Sequence, residues 1–260
     1  ASGVRIQNLI VEHYANESQV GAIQGTNATN WTIHHNDVRH NHGYGVRTGT
    51  GFNVQFNRIN NNYQLGIGGA GDDVIFENNE VAYNNVQYNF GWEGGGTKFA
   101  LTNQLIAAHN FVHHNLGPGL WVDINNDAYL VEDNVVEDNV SGGNNASSAG
   151  IFIEISGGGV VRNNVVRRCG TGWTNPDWLF GAGILIAASG RAAPVTVPRV
   201  GSITGIEVYG NTVEGCADGI GLVRQPLPGG QVREHARSLR VDALKLGDRG
   251  QGAHQPSFRS

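Results

Sequence analysis

No window of this chain repeats its apolar residues with the 3.6-residue period of a long amphipathic helix, and no apolar run approaches the roughly 18 residues a membrane-spanning helix needs. Charge is sparse: 15% of the residues are charged, 17 Lys+Arg against 22 Asp+Glu, for a net charge of −5. Without a basic stripe, that balance argues against a nucleic-acid backbone as partner. An ice-binding face would need a flat ladder of repeated threonines, which is also missing. Methionine is absent, proline is scarce before residue 176, and there are two cysteines. No signal peptide precedes the opening "ASGVRIQNLIV", which already reads as part of a repeat. A solenoid normally carries a cap at each end, so the sequence is expected to be a fragment or a processed form.

Glycine and asparagine are abundant instead. Glycine supplies 39 of the 260 residues, which fits a chain that turns often. Eight times an asparagine stands two residues before a branched aliphatic: Asn8, Asn36, Asn57, Asn79, Asn110, Asn134, Asn164 and Asn211 precede Ile10, Val38, Ile59, Val81, Val112, Val136, Val166 and Val213. Five residues past each asparagine lies a second column, His13, Asn41, Asn62, Asn84, Asn115, Asn139, Cys169 and Cys216. A period of about twenty to thirty residues with no helical pattern means stacked turns of a solenoid. Strands on neighbouring turns lie about 4.8 Å apart. Equivalent asparagines are therefore expected to form a hydrogen-bonded ladder, each amide giving to one neighbour and taking from the other. Asparagine also tolerates the left-handed backbone of a sharp corner.

Each repeat has a second landmark, a glycine that opens a short apolar strand: Gly21, Gly45, Gly66, Gly119, Gly150, Gly183 and Gly219. Alternation puts Leu120, Val122 and Ile124, and likewise Ile151, Ile153 and Ile155, on the inner face. Counted from the glycines, Asp123 and Glu154 fall in one outward column whose other members, Gly25, Gly49, Ala70 and Ala187, are small and uncharged. Two carboxylates one rung apart, at about 4.8 Å, push their pKa values apart. Their spacing matches the ~5–5.5 Å between nucleophile and acid/base in a retaining glycosidase. Trp121 and Phe152, two residues before them, are expected to point outward as well and to suit the apolar faces of sugar rings.

The preceding turn, "FGWEGGGTKF", holds Trp92, Glu93 and Lys98. If Asn89 takes the corner there, Glu93 joins the acidic column one rung below Asp123. Insertions at 141–149, 170–182 and 190–202 lengthen successive turns and are expected to wall a groove. Trp173, Asp177 and Trp178 in the second insertion are candidate subsite residues.

The glycine-opened strand with its "N-N-x-V-x-x-N" turn resembles the right-handed parallel β-helix family of carbohydrate-active proteins over residues 3–223. More narrowly, "GGGTKF", "HNLGPGLWVDINN" and "GIFIEIS" resemble secreted bacterial β-helix repeat proteins. The resemblance implies an all-β, single-stranded right-handed parallel β-helix of about eight turns with an internal asparagine ladder. It also implies a polysaccharide or oligosaccharide partner and a secreted or cell-surface location. This scaffold serves hydrolases, lyases, epimerases and non-catalytic binders alike.

As a glycoside hydrolase, the leading expectation, the protein would use Asp123 as nucleophile or base and Glu154 as general acid, with no cofactor. Trp121 and Phe152 would hold sugar rings, and Lys98 would contact an acidic or hydroxyl group. As a lyase or uronate C5-epimerase, it would bind calcium through Glu93, Asp123 and Glu154, and Lys98 would take the C5 proton. As a non-catalytic solenoid, it would bind glycan on the same face without cleaving it.

The other motifs read as structural. His34, His35, His109, His113 and His114 fall on separate rungs, which does not suit a shared zinc. Cys169 and Cys216 replace asparagine on consecutive turns, close enough for a disulfide although poorly oriented for one; otherwise they are small buried thiols. Residues 1–223 are expected to form one β-helix domain. The segment 224–260, with seven basic and three acidic residues, is an atypical tail where the ladder stops, expected to be poorly ordered or foreign to the fold.

Overall fold

The computed structural model describes residues 1–86, 94–140, 147–171, 180–188, 203 and 205–224, with backbone alone at 188, 224, 239–242 and 245–246. Among the described residues there is no helix. Three parallel sheets of nine, nine and eight strands run along one axis, every strand pairing in register with its equivalent on the next turn. This is a right-handed parallel β-helix, as the repeat predicts.

The first two sheets are built from short strands, mostly of three residues, such as Thr32–His34 and Asp37–Arg39. Only the middle residue of each faces inward. Ile33, Val54, Phe76, Val131 and Val161 do so in the first sheet, and Val38, Ile59, Val81, Val112 and Val136 in the second. The third sheet comprises Gly21–Gln24, Tyr44–Thr48, Leu65–Gly69, Gly95–Ala100, Leu120–Asp123, Ile151–Glu154, Ala182–Ala188 and Asp218–Arg224. Its inward residues join the others in one continuous core.

Two residues turn the chain from the first sheet to the second, one left-handed and one a ladder asparagine. The left-handed residue is not the asparagine, as expected from its tolerance of that backbone, but the one before it. His35, Phe56, Asn78, His109, Asp133 and Asn163 have φ between 52° and 57°. The reason is geometric: the amide must lie inside the coil to reach its neighbours, whereas the left-handed residue points its side chain out. The corner therefore accepts even Phe56, which is 51% exposed.

From Asn36 to Asn211 each Nδ2 donates to the Oδ1 of the next turn's asparagine at 2.9–3.1 Å. A second ladder runs from Asn41 to Asn139 at 2.9–3.0 Å. The first turn is one residue out of phase with the sequence reading. Leu9, not Asn8, occupies the ladder position and donates its backbone N–H to Asn36 Oδ1, and Tyr14, not His13, does so to Asn41 Oδ1. Asn8 and His13 take the left-handed positions. Val11 pairs with Val38, leaving Ile10 62% exposed. A one-residue slip exchanges the two faces of a strand.

Removing one interior amide breaks several buried hydrogen bonds at once, each group left unmet costing about 1–3 kcal/mol. Asn110→Ala takes the acceptor from the Asn79 backbone N–H and one bond each from Asn79 Nδ2, Asn134 Oδ1 and the Phe76 carbonyl. It is expected to lower stability by about 3 kcal/mol or more. His109→Asn, at the outward corner one residue earlier, is expected to stay within about 0.5 kcal/mol. Urea unfolding of both variants checks the contrast.

Cys169 and Cys216 continue the second ladder as buried free thiols, with Cys169 N–H donating to Cys216 Sγ at 3.4 Å. The Cys216 thiol beside it, and then burial, push the Cys169 thiol well up. Past residue 223, where the sequence reading ends the repeat, Leu239–Asp242 and Lys245–Leu246 still extend the first and second sheets by one strand each.

Candidate functional site

Two outward columns cross the third sheet side by side. One contains Arg47, Gly68, Lys98, Trp121, Phe152 and Leu185. The other contains Ala100, Asp123, Glu154 and Ala187, so the two carboxylates do stand on adjacent rungs with matching phase. Gly49 and Ala70 extend this second column toward the amino-terminal turns, as the glycine count predicts.

Several expectations are corrected. Gly21 pairs with Tyr44 rather than Gly45, so Gly25 falls out of the carboxylate column. In the turn below Asp123 the opening glycine is Gly96, which stacks on Gly66, and the position opposite Asp123 is Ala100. Glu93 is therefore not a member of the acidic column. Trp92, Glu93, Trp173, Asp177 and Trp178 lie outside the described residues.

Ile124 and Ile155 are not inward strand residues. Both are left-handed, at φ 50° and 48°, and end their strands at the carboxylates. Left-handed backbone at such a residue costs on the order of 1–3 kcal/mol, and here it directly follows both acids. The turn after Asp123 is also one residue longer than the turn after Ala100, since Thr102 N–H meets Asn126 Oδ1. The extra residue brings Asn125 into a second left-handed position, with its amide nitrogen and oxygen buried and not hydrogen-bonded among the described residues.

The outward face here is covered. Ala149, Phe152, Ala182, Leu185 and Ala187 form a second apolar cluster, against which Trp121, Phe180 and Val223 pack. Trp121 and Phe152 stack at 5.3 Å between centroids, with 15° between their planes. Trp121 keeps a partly open surface, but Phe152 is 2% exposed and offers no platform for a sugar.

Within this cover Lys98 reaches diagonally across the columns. Its Nζ lies 2.8 Å from Asp123 Oδ2 and 3.9 Å from the centroid of the Trp121 ring. The ammonium is held by a carboxylate on one side and an aromatic face on the other. The side chain of Asp123 is 0% exposed and that of Lys98 6%, while Glu154 retains 8%. The contact is an ion pair in a covered site, where solvent and salt screen the two charges little. Spacing did not foretell the ion pair, because Lys98 stands in the Trp121 column and meets Asp123 only through the reach of its side chain.

Behind the carboxylates runs a third, short polar ladder that the sequence reading missed. Thr102 Oγ1 donates to Asn126 Oδ1, and Asn126 Nδ2 donates to Ser156 Oγ at 3.0 Å and to the Asp123 carbonyl at 2.6 Å. Ser156 Oγ in turn donates to the Glu154 carbonyl at 2.9 Å. The ladder ties the ends of both acid-bearing strands to each other. Its sequence signal is a polar residue two or three positions past each outward site.

Calcium takes six to eight oxygens, and of the three carboxylates expected to hold it only Asp123 and Glu154 lie among the described residues. The Lys98 ammonium already sits against Asp123 Oδ2. Among the described residues no three His, Cys, Asp or Glu groups converge as metal ligands. The histidines engage locally: His35 stacks on Phe56 at 5.2 Å, and His113 Nε2 lies 3.3 Å from Glu80 Oε1. Burial pulls the His113 pKa below its usual value.

The family described as right handed beta helix region matches residues 21–197. Among solved structures, a double mutant of the periplasmic alginate epimerase AlgG superposes with a TM-score of 0.62 at 14% identity, over 85% of this chain and 46% of that one. The complex of XylC with xylose gives 0.58 at 14% identity, over 94% and 53%. An alginate lyase from Paenibacillus sp. str. FPU-7 gives 0.56 at 16% identity, over 90% and 79%. The chain thus spans about half the length of the first two. No curated protein matches the sequence. At these identities the likeness establishes the fold alone.

Proposed function

We infer, for a chain that belongs to the right-handed β-helix family, that the third sheet acts on an acidic polysaccharide by removing the C5 proton beside a uronate carboxylate. The observation that carries this reading is the covered ion pair of Lys98 and Asp123 at 2.8 Å, one rung from Glu154. The similar folds support the substrate class, since two are named for alginate, a polyuronate.

The roles follow from burial. Asp123 has no exposed surface and does not touch the sugar; it holds the Lys98 ammonium in place. The Lys98 ammonium meets the uronate carboxylate and stabilises the charge that grows on it as the C5–H electron pair moves onto the carbon. Glu154 takes that proton. Trp121, stacked on Phe152 and facing Lys98, borders the sugar with the part of its indole that stays open. If the C4–O bond then breaks, its pair leaves with the glycosidic oxygen, which takes a proton from solvent, and the C5 pair forms a C4=C5 double bond. If instead water delivers a proton to the opposite face of C5, the product is the C5 epimer, and Glu154 returns its proton to solvent. The residues named here need no metal, and the site works outside the cytoplasm, where such polymers occur.

A second reading is the retaining glycoside hydrolase, which the one-rung separation of Asp123 and Glu154 favours. It requires Asp123 to reach an anomeric carbon, and Asp123 is both fully buried and bonded to an ammonium. Incubation with alginate, polygalacturonate and neutral polysaccharides, in D₂O and with chelator, tests the two. The expected result is an ultraviolet-absorbing product or deuterium at C5, from acidic polymers alone and unchanged by chelator. New reducing ends without either signature mean hydrolysis, and binding without any product means a non-catalytic solenoid.

A further inference from the structure

A second feature of the same sheet lies two rungs toward the amino terminus. A cavity of about 420 Å³ opens between the first turns and is lined by Arg47, Asn27 and a run of threonines that includes Thr26 and Thr50, over a floor that includes Gly49 and Ala70. Its size falls within the range of small-molecule sites. None of the residues lining it is acidic.

Arg47 is positioned rather than neutralised. Its Nη1 donates to the Gln19 carbonyl, and its guanidinium lies 5.7 Å from the Tyr44 ring centroid. Arg39, Arg58, Arg162, Arg167 and Arg168 each face a carboxylate. Among the described residues no carboxylate faces Arg47. A fixed fork of donors beside hydroxyl and amide side chains is suited to a carboxylate on a hydroxylated ligand.

Arg47 also shares its column with Lys98, and only Gly68 separates them. Two rungs span about 9.6 Å. The neighbouring column presents Gly49, Ala70 and Ala100 over the same stretch. Among the described residues, the positions between the two cations carry no large side chain. The backbone keeps it so: a Cβ at Gly71, where φ is +131°, would lie 2.5 Å from the Thr50 nitrogen.

We propose that Arg47 and its cavity form a distal subsite that binds a second uronate carboxylate of the chain whose reacting unit lies at Lys98. The proposal rests on the polyuronate reading above for the nature of the ligand. It assigns the substrate a direction, along the solenoid axis, and makes affinity rise with the number of uronate units that reach from one cation to the other.

Calorimetric titration of the whole chain with dimers and hexamers from alginate and from polygalacturonate, and with neutral xylohexaose, tests it. At least one acidic hexamer is expected to bind about tenfold or more tightly than its dimer. Arg47→Gln is expected to remove that gain and leave the dimer unchanged, and Arg47→Lys to restore part of it. Equal weakening of dimer and hexamer, no length dependence, or equal affinity for xylohexaose overturns the proposal. The two readings fail separately. Length-dependent binding lost in Arg47→Gln without any product leaves the subsite and removes the chemistry. Turnover with a hexamer affinity unmoved by Arg47→Gln does the reverse.

Discussion

Asp123→Leu is expected to lower the unfolding free energy by about 3–5 kcal/mol, and Lys98→Met by a similar amount, while the double variant loses far less than their sum. The argument is desolvation. Either single change leaves one largely buried charge beside the aromatic and aliphatic cover of the third sheet without its partner. The double change removes both charges and leaves apolar side chains beside Leu185 and Ala187, already members of the covering cluster. Denaturant unfolding of the four proteins closes the cycle. Additive losses would mean that the pair is solvated in solution and that Asp123 is not the residue that holds Lys98. The double variant is expected to be inactive even where it is stable, because the ammonium it lacks is the group proposed to meet the substrate.

Glu154→Gln is the second change with a large expected effect. It keeps shape and removes the basic oxygen, so turnover should fall by about 10²–10⁴, with oligosaccharide affinity and unfolding midpoint little changed. Steady-state rates beside calorimetric affinities separate these quantities. A fall in affinity that accounts for the whole loss of rate would make Glu154 a binding group and leave the base unassigned.

The stack was legible because its signal repeats. An amide every turn, followed by a branched aliphatic, specifies both the rung spacing and which side faces in, and Asn36 through Asn211 follow that rule. The rule misleads at Asn8, since Asn8 and His13 each satisfy the pattern while standing one position from the ladder. The carboxylate column was legible for the same reason, Gly119 and Gly150 being in phase. It was not legible at Glu93, because a run of three glycines hides which one opens the strand; Gly96 does. What alternation cannot report is cover. Asp123 and Phe152 point outward as expected, yet lie buried, because the outer face is roofed by residues brought from other turns. The reach of Lys98 to Asp123 is likewise a property of a long side chain and not of strand register.

Both asparagine ladders run in one sense, each Nδ2 directed toward the later turn and each Oδ1 toward the earlier. Peptide groups aligned in this way in an α-helix sum to a macroscopic dipole, and successive bonds in a chain polarise one another. The shaft of the solenoid is therefore electrically asymmetric from end to end, its amide oxygens facing the amino-terminal turns. A charged chain laid along the third sheet, as proposed, would therefore meet different fields in its two orientations.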